Sequence, residues 1–185
     1  MTDPGTSTFR RLNPLSIGIV VAVGVVIGVA AWLLLKGDDE NGQQAAGARA
    51  VSVEELQDLA GGRDTPIFWA GPRSGSKYEF TETKDGSVFV RYLARNAEVG
   101  DPKPSYLTVA TYPLDNGYAR VQAASKRKGA ESEELQNGGL ALVNRERPSS
   151  VYLAYPRGKY QVEVYDPSPD RARDLVFSGA VQPVR

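Results

Sequence analysis

The chain contains no histidine and no cysteine among its 185 residues. Without histidine, neither a Ser-His nor a Cys-His catalytic pair can form, and a zinc or copper site has no imidazole ligand. Without cysteine, no disulfide supports the fold, so the hydrophobic core must be sufficient on its own. Histidine-dependent catalysis and disulfide-stapled folds are therefore excluded.

A net charge is also lacking, because 22 Lys and Arg residues balance 22 Asp and Glu residues. A strongly basic balance would have indicated binding to nucleic acid or to an anionic membrane surface. The balanced charge supports neither class of partner, and we expect that the protein does not bind nucleic acid.

One long hydrophobic run is present, the uncharged 21-residue segment 15–35, LSIGIVVAVGVVIGVAAWLLL. At about 1.5 Å per helical residue it spans roughly 31 Å, close to the thickness of a bilayer core. Signal peptides have shorter apolar regions, of about 7–15 residues, followed closely by a small-residue cleavage site. The nearest Ala-x-Ala begins only at Ala46. The run therefore predicts a retained single-pass transmembrane helix, a signal anchor.

The flanks of this segment predict its orientation. Arg10 and Arg11 precede it, whereas Lys36 behind it is followed by an acidic cluster at 38–40. The positive-inside bias places the N-terminus in the cytoplasm and the C-terminal bulk outside the cell membrane. Gly24 and Gly28 have the GxxxG spacing, so dimerisation through two helices is an alternative that the sequence leaves open.

Composition divides the chain into four parts: a cytoplasmic tail (1–14), the transmembrane helix (15–35), a flexible linker (36–50) and an extracytoplasmic domain (51–185). In the domain, alternating apolar residues predict strands, and capping residues at Ser52, Asp115 and Ser168 predict helices. The fold class expected is α+β, mostly antiparallel sheet packed by two or three helices.

Two stretches of the domain share a pattern, IFWAGPRSGSKYEF from residue 67 and VYLAYPRGKYQVEV from residue 151. Each has Pro-Arg and then Gly before an alternating strand, which predicts two turns with Arg73 and Arg157 exposed at their tips. Gly158 is expected to supply a positive φ. The similarity also raises the alternative of two related sheet-then-helix halves.

Two Ser-x-x-Lys motifs occur, at Ser74–Lys77 and at Ser125–Lys128. In penicillin-binding proteins the lysine activates such a serine, but Ser-Asp-Asn and Lys-Thr-Gly elements accompany it. Neither companion element is present, so both motifs are interpreted as chance.

Carboxylates offer a second route to catalysis. A general acid and base would require two of them to face each other in one cleft, and the candidates are Glu79, Glu82, Glu163 and Asp166. Asp166, Asp170 and Asp174 have a spacing of four that could gather a hard cation. Helix capping and partners for neighbouring arginines explain these three aspartates more simply.

Basic and aromatic residues could bind larger ligands. Residues 126–128, Lys-Arg-Lys, could meet an anionic polymer or a lipid headgroup, although a solvated helix end explains them equally. Trp69 and the nine tyrosines, all in the domain, could stack on sugars or peptides, or simply pack the core. The sequence therefore assigns no catalytic, cofactor-binding or metal-binding residue, and it implies no cofactor.

Four segments carry a resemblance: FWAGPRSG, YLTVATYP, YQVEVYDPSP and SGAVQPV. They resemble parts of uncharacterised single-pass membrane-anchored proteins of actinobacteria that have no assigned function. The resemblance covers most of residues 60–185. It implies a location in the envelope of a Gram-positive, high-GC cell and brings no site residues.

Three functional hypotheses follow. The first is a membrane-tethered extracytoplasmic binding or scaffolding domain of the cell envelope, with an envelope protein or polymer as partner. The second is an envelope enzyme that uses carboxylates or a Ser-Lys pair. The third is a cytoplasmic-facing regulator of a membrane complex, which requires the reverse topology.

The predicted topology can be measured with a reporter fusion. Alkaline phosphatase fused after Arg185 should be active in cells, because the bias of Arg10 and Arg11 directs the C-terminus outward. An intact but inactive fusion would reverse the topology and favour the third hypothesis.

Overall fold

The computed structural model describes residues 47–185. The helices of this part of the chain are α1 (Val53–Ala60), α2 (Gly117–Ser125) and α3 (Pro169–Phe177). The strands are β1 (Arg49–Val51), β2 (Phe68–Trp69), β3 (Ser76–Glu82), β4 (Val88–Ala94), β5 (Thr108–Pro113), β6 (Ala130–Glu134), β7 (Leu140–Asn144), β8 (Arg147–Ala154), β9 (Tyr160–Tyr165) and β10 (Gln182–Pro183).

Eight strands form one antiparallel sheet in the order β1-β3-β4-β5-β9-β8-β7-β6, and β2 pairs with β10 in a separate two-stranded sheet. From one edge inward, the short strand β1 is followed by the meander β3-β4-β5, and from the other edge β6-β7-β8-β9 form a four-stranded meander. The two meanders meet where β5 pairs with β9, Thr108 opposite Tyr165. The predicted α+β class, mostly antiparallel sheet with helices packed on it, is confirmed.

The predicted capping residues of α1 and α3 are confirmed. The Ser52 hydroxyl accepts from the Glu55 N–H at 3.1 Å, and the Glu55 carboxylate accepts from the Ser52 N–H at 2.7 Å. The Ser168 side chain accepts from the Arg171 N–H, and Pro169 occupies the first turn. Both helices thereby satisfy backbone N–H groups that helical bonds leave free.

The front face of the sheet carries the main hydrophobic core. Alternation along β4, β5 and β9 directs Val90, Val109 and Val164 to this face, where all three are fully buried. Helices α1 and α3 cover it together with the β2–β10 pair. The Thr111 hydroxyl and the Tyr92 hydroxyl attach β2 to the sheet, because they accept from the backbone N–H groups of Phe68 and Ala70.

The back face has a different cover in each half. Helix α2 packs on β7 and β8 through Val121. Its start approaches β9 so closely that a Cβ at Gly117 would lie 2.5 Å from the Tyr160 carbonyl oxygen. The expected cap at Asp115 is wrong: Asn116 holds the N-cap position and makes no side-chain bond there.

Over the other half of the back face lies the covering loop, residues 95–107. It is attached through its backbone, since the Tyr165 hydroxyl donates to the Pro104 carbonyl at 2.8 Å. Strand β6 was not predicted, because its sequence AESEE is charged and mostly exposed. Strand β1 begins at Arg49, inside the last residues of the segment expected to be linker.

Residues 47–185 contain no helix long and apolar enough to cross a membrane. The predicted transmembrane helix at 15–35, with Gly24 and Gly28, lies outside the described residues, as do the predicted tail and most of the predicted linker.

The two Pro-Arg segments are not equivalent in the fold. Pro72 and Arg73 connect β2 to β3, which do not pair, whereas Pro156 and Arg157 join the paired strands β8 and β9. Arg157 is exposed as expected, but Arg73 is half-buried, with its guanidinium 5.5 Å from the centre of the Tyr92 ring. Only the second segment therefore forms a hairpin, and the expectation that Arg73 is exposed at a turn tip is wrong.

The turn at 155–158 also differs from the expectation in its backbone. The positive φ belongs to Arg157, at 68°, and not to Gly158. With Pro156 before it and the Gly158 N–H bonded to the Tyr155 carbonyl at 3.0 Å, this is a type II turn. Glycine is favoured at 158 by space instead, because a Cβ there would lie 3.2 Å from the Tyr155 carbonyl oxygen.

Substitutions of Arg157 should therefore separate backbone strain from side-chain contacts. Arg157→Val should lower the free energy of unfolding by about 1 kcal/mol or more, because a β-branched residue resists positive φ. Arg157→Asn should leave it unchanged or higher, because asparagine tolerates this region. Urea denaturation measures both, and equal effects would contradict the turn described.

Candidate functional site

One concave feature of the described residues is the aromatic groove, with a cavity volume of about 460 Å³. It lies on the front face, where β8 ends and β9 begins, and it is bordered by the β6–β7 turn, the end of α3 and the β10 segment. Segments from three separate parts of the C-terminal half of the chain thus converge on one cavity. Its size is within the range typical of small-ligand sites.

Aromatic rings form the floor of the groove. The rings of Phe68, Tyr155 and Tyr160 form a mutually contacting cluster. The Phe68 centroid is 5.9 Å from that of Tyr155 and 5.5 Å from that of Tyr160, the two tyrosine centroids are 6.2 Å apart, and the Tyr155 ring is nearly parallel to Phe68, at 17°. Phe177 lines the same cavity from α3. Phe68 is buried, whereas Tyr155, Tyr160 and Phe177 are half-buried and keep part of their surface toward solvent.

The rim of the groove is polar and mostly uncharged. Gln136, Asn137, Ser178 and Gln182 are exposed there, and Arg185 is the one charged side chain among the lining residues. Asn137 is held in place twice, because its Nδ2 donates to the Tyr155 hydroxyl at 3.3 Å and its Oδ1 accepts from the Gly139 N–H at 3.2 Å. Amide groups on this rim can both donate and accept.

Burial raises the pKa of the Tyr155 phenol, and the hydrogen bond from Asn137 only partly opposes this. Burial also raises the pKa of Tyr160, with a further contribution from Tyr155. Both side chains therefore remain neutral phenols well above neutral pH, and the groove carries no negative charge from them.

Two of the four candidate carboxylates are buried on the back face. Glu79 forms an ion pair with Arg91 at 2.7 Å, and both side chains are almost completely excluded from solvent. Arg91 also donates to the carbonyl oxygens of Asp101 and Lys103, and the Gly100 N–H donates to Glu79. The pair thus attaches the covering loop to the sheet.

Glu163, the other buried carboxylate of this face, accepts from the Tyr112 hydroxyl at 3.0 Å. Burial is the main reason why the pKa of Tyr112 is well above its usual value, and the negative charge of Glu163 adds to it. Strand β9 is three strands away from β3, roughly 14 Å across the sheet. Glu79 and Glu163 are therefore too far apart for the carboxylate pair of a glycosidase.

The remaining two carboxylates lie elsewhere. Glu82 is exposed and pairs with Arg63, whereas Asp166 is buried and accepts from the Ser168 N–H at 2.8 Å. No two of the four candidates face each other in a cleft, so the arrangement required by the enzyme hypothesis is missing for this set.

The Ser-x-x-Lys motifs do not form serine–lysine contacts. Lys77 donates its Nζ hydrogen to the Ala97 carbonyl, and the Ser125 hydroxyl donates to the Gln122 carbonyl at 2.8 Å. Asp170 and Asp174 are exposed, whereas Asp166 is buried. Within residues 47–185, no group of three or more acidic side chains is arranged to hold a metal ion.

The groove could not be identified from the sequence. The sequence indicates that an aromatic surface could bind a ligand, but it does not indicate which tyrosines such a surface would contain. Tyr155 and Tyr160 flank one turn and were the only local signal, while Phe68 and Phe177 are about a hundred residues apart in the chain. Only the packing of β2 and α3 against the sheet brings these rings together.

Comparison with protein-family models, with curated proteins and with solved structures found no match to this chain.

The two Glu–Arg pairs provide a matched test of burial. Glu79→Gln should lower the free energy of unfolding by about 3–5 kcal/mol, because it leaves the buried Arg91 charge without its partner. Glu82→Gln should change it by no more than about 1 kcal/mol, because its pair with Arg63 is exposed to solvent. Chemical denaturation of both variants decides the point, and similar losses would contradict the difference in burial.

Proposed function

We propose that this protein is a membrane-tethered, extracytoplasmic binding domain of the cell envelope, and that the aromatic groove binds an uncharged carbohydrate chain. The observation that supports this proposal is the combination in one cavity of three partly exposed aromatic rings with a rim of amide and hydroxyl groups.

Carbohydrate recognition uses both parts of such a cavity. The apolar C–H face of a sugar ring packs on an aromatic ring, and its hydroxyl groups need partners that can donate as well as accept. Tyr160 and Phe177 offer the rings, and Gln136 and Gln182 offer the amides. The lining residues include no acidic side chain, and Arg185 has the one charged side chain among them, which favours an uncharged ligand.

An extended peptide fits the cavity less well. Peptides commonly bind by adding a strand to a free sheet edge, with backbone hydrogen bonds supplying the affinity. The strand that borders the groove, β10, has two residues, and one of them, Pro183, has no N–H. A carbohydrate does not need that edge.

The place of the groove agrees with a tether. Gly47, where the described chain begins, lies beside Glu82, at the same end of the strands as the groove. Residues 36–46 can extend at most about 38 Å from the predicted membrane helix. Under this proposal the groove meets ligands close to the outer surface of the membrane that holds the predicted anchor.

The two alternative functions, an envelope enzyme and a cytoplasmic-facing regulator, are tested separately. An envelope enzyme would need a reactive pair other than the four carboxylates and two Ser-x-x-Lys motifs considered above. A cytoplasmic-facing regulator of a membrane complex is decided by the reporter fusion at Arg185.

We also infer that the two sheet halves are related, although not at the Pro-Arg segments. Tyr112 is the last residue but one of β5, and Tyr165 is the last residue of β9. Each stands seven residues before an alanine of the helix that follows, Ala119 in α2 and Ala172 in α3. The helices then diverge, because α2 packs on the back face and α3 on the front. The similarity between the halves is thus limited to the sheet and to the order of the elements.

Groove variants should lose carbohydrate binding without losing the fold. The full chain in a non-ionic detergent would be applied to an array of uncharged hexose and N-acetylhexosamine oligosaccharides, with acidic oligosaccharides and peptides printed alongside. Phe177→Ala should weaken binding to the preferred uncharged glycan at least tenfold, because a stacking surface is lost. Gln136→Ala should weaken it several-fold by removing a hydrogen-bonding partner.

Tyr118→Ala is the matched control, since Tyr118 is a half-buried aromatic residue on α2, outside the groove. It should bind glycans like the wild type, with thermal unfolding recorded for each variant. Preference for peptides or for acidic oligosaccharides, or equal losses in the groove variants and in Tyr118→Ala, would refute the proposed ligand.

A further inference from the structure

The end of the strands opposite the groove carries a second feature, which we name the basic corner: the turn of residues 126–128 and the β7–β8 turn with Arg145 and Arg147. The Arg145 N–H donates to the Gly129 carbonyl at 2.8 Å, so the two turns are joined by their backbones. Five basic side chains of a chain with no net charge are thereby gathered in one exposed place.

Neighbouring acids compensate this corner only in part. Glu131 accepts from Arg145 at 2.6 Å and from Arg173 at 2.7 Å, and these two bonds lower the pKa of its carboxyl. Glu146 is the one acid within the two turns. No carboxylate of residues 47–185 lies within ion-pair distance of Lys126 or Lys128, and both lysines are exposed.

The backbone of the corner is held in place before any ligand binds. The Ala130 N–H donates to the Arg127 carbonyl at 3.1 Å, and the Glu146 N–H donates to the Asn144 side chain at 2.9 Å. Cations on fixed turns lose less conformational entropy on binding than cations on a mobile tail. The corner is therefore a preformed surface of positive charge.

We propose that the basic corner binds a polymer that carries repeated phosphate groups, independently of what the aromatic groove binds. Lysine and arginine side chains, closely spaced along two joined turns, complement the charge of successive anionic groups of one polymer chain. Arginine can bind phosphate through two hydrogen bonds, and lysine adds a compact charge.

The membrane that carries the predicted anchor is the less suitable partner. Gly47 leaves the sheet at the end where Glu82 lies, whereas the basic corner is at the other end of the same strands. An upright domain on its tether would hold the corner away from the lipid headgroups and toward the material beyond them. The proposed partner is therefore a soluble or wall-bound polyanion and not the membrane.

The test uses the full chain in a non-ionic detergent and fluorescein-labelled, long-chain inorganic polyphosphate, with binding followed by fluorescence anisotropy. The double variant Lys126→Glu/Lys128→Glu should weaken binding at least tenfold at physiological salt. For the wild type, the logarithm of the binding constant should fall linearly with the logarithm of the salt concentration, as expected when bound counterions are released.

The matched control is Lys84→Glu/Lys159→Glu, which changes the net charge equally at the opposite end of the strands, where both lysines are exposed. It should weaken binding less than twofold. Conservative Lys126→Arg/Lys128→Arg should retain wild-type affinity, and circular dichroism checks the fold of every variant. No binding by the wild type, or equal losses in both charge-reversal variants, would overturn the proposal.

A second arm distinguishes the polymer from a membrane. Vesicles that contain phosphatidylglycerol replace polyphosphate in a flotation assay with the same variants. If the corner variant loses vesicle binding while its polyphosphate affinity is unchanged, the proposal is overturned and the corner is a lipid-binding surface. Loss of polyphosphate binding with intact glycan binding at the groove supports the corner as a separate site.

Discussion

The pairing of β5 with β9 is the interaction on which the domain depends. Each half of the sheet is a meander that its own turns hold together, and within the sheet the register of residues 108–113 against 160–165 joins the halves. In this register Val109 and Val164 face the front core, and Ala110 and Glu163 face the back. A slip of one residue would place the Glu163 carboxylate in the apolar core, a cost that fixes the register.

The back face shows how the sheet tolerates buried charge. Arg91 donates to Glu79 and to two carbonyl groups of the covering loop, and these bonds compensate much of the cost of its desolvation. The 5.1 Å contact between its guanidinium and the Tyr106 ring adds to this. The ion pair therefore attaches a long irregular loop to the back face of one half of the sheet. On the other half of the sheet, α2 covers the same face.

The two candidate binding surfaces lie at opposite ends of the same strands and differ in chemistry. The aromatic groove is a concavity with one charged side chain, Arg185, in its lining, and it is suited to stacking and to amide hydrogen bonds. The basic corner is a convex pair of turns whose charges act over a distance of about 10 Å in salt. A tethered domain with this division could hold an uncharged chain at one end and an anionic chain at the other, which is a scaffolding role within the proposed class.

The sequence by itself determined the local elements. The capping bonds at Ser52 and Ser168 and the β3–β4 hairpin around Gly86 follow from residues within three or four positions, where chain entropy gives few alternatives. The apolar alternation likewise determined the class of fold. The sequence predicts the positive φ of the 155–158 turn at Gly158, because local preference favours glycine. In the fold, Arg157 has the positive φ instead.

Only the tertiary structure decided where the sites are. Strand β6 has no apolar alternation and exists because β7 offers it a hydrogen-bonding edge. The groove requires Phe68, Tyr160 and Phe177 to meet, and the basic corner requires a helix end to meet a hairpin turn. Such encounters depend on strand order and on long-range packing, whose free energy is shared among many residues and is not recorded in any short stretch of the chain.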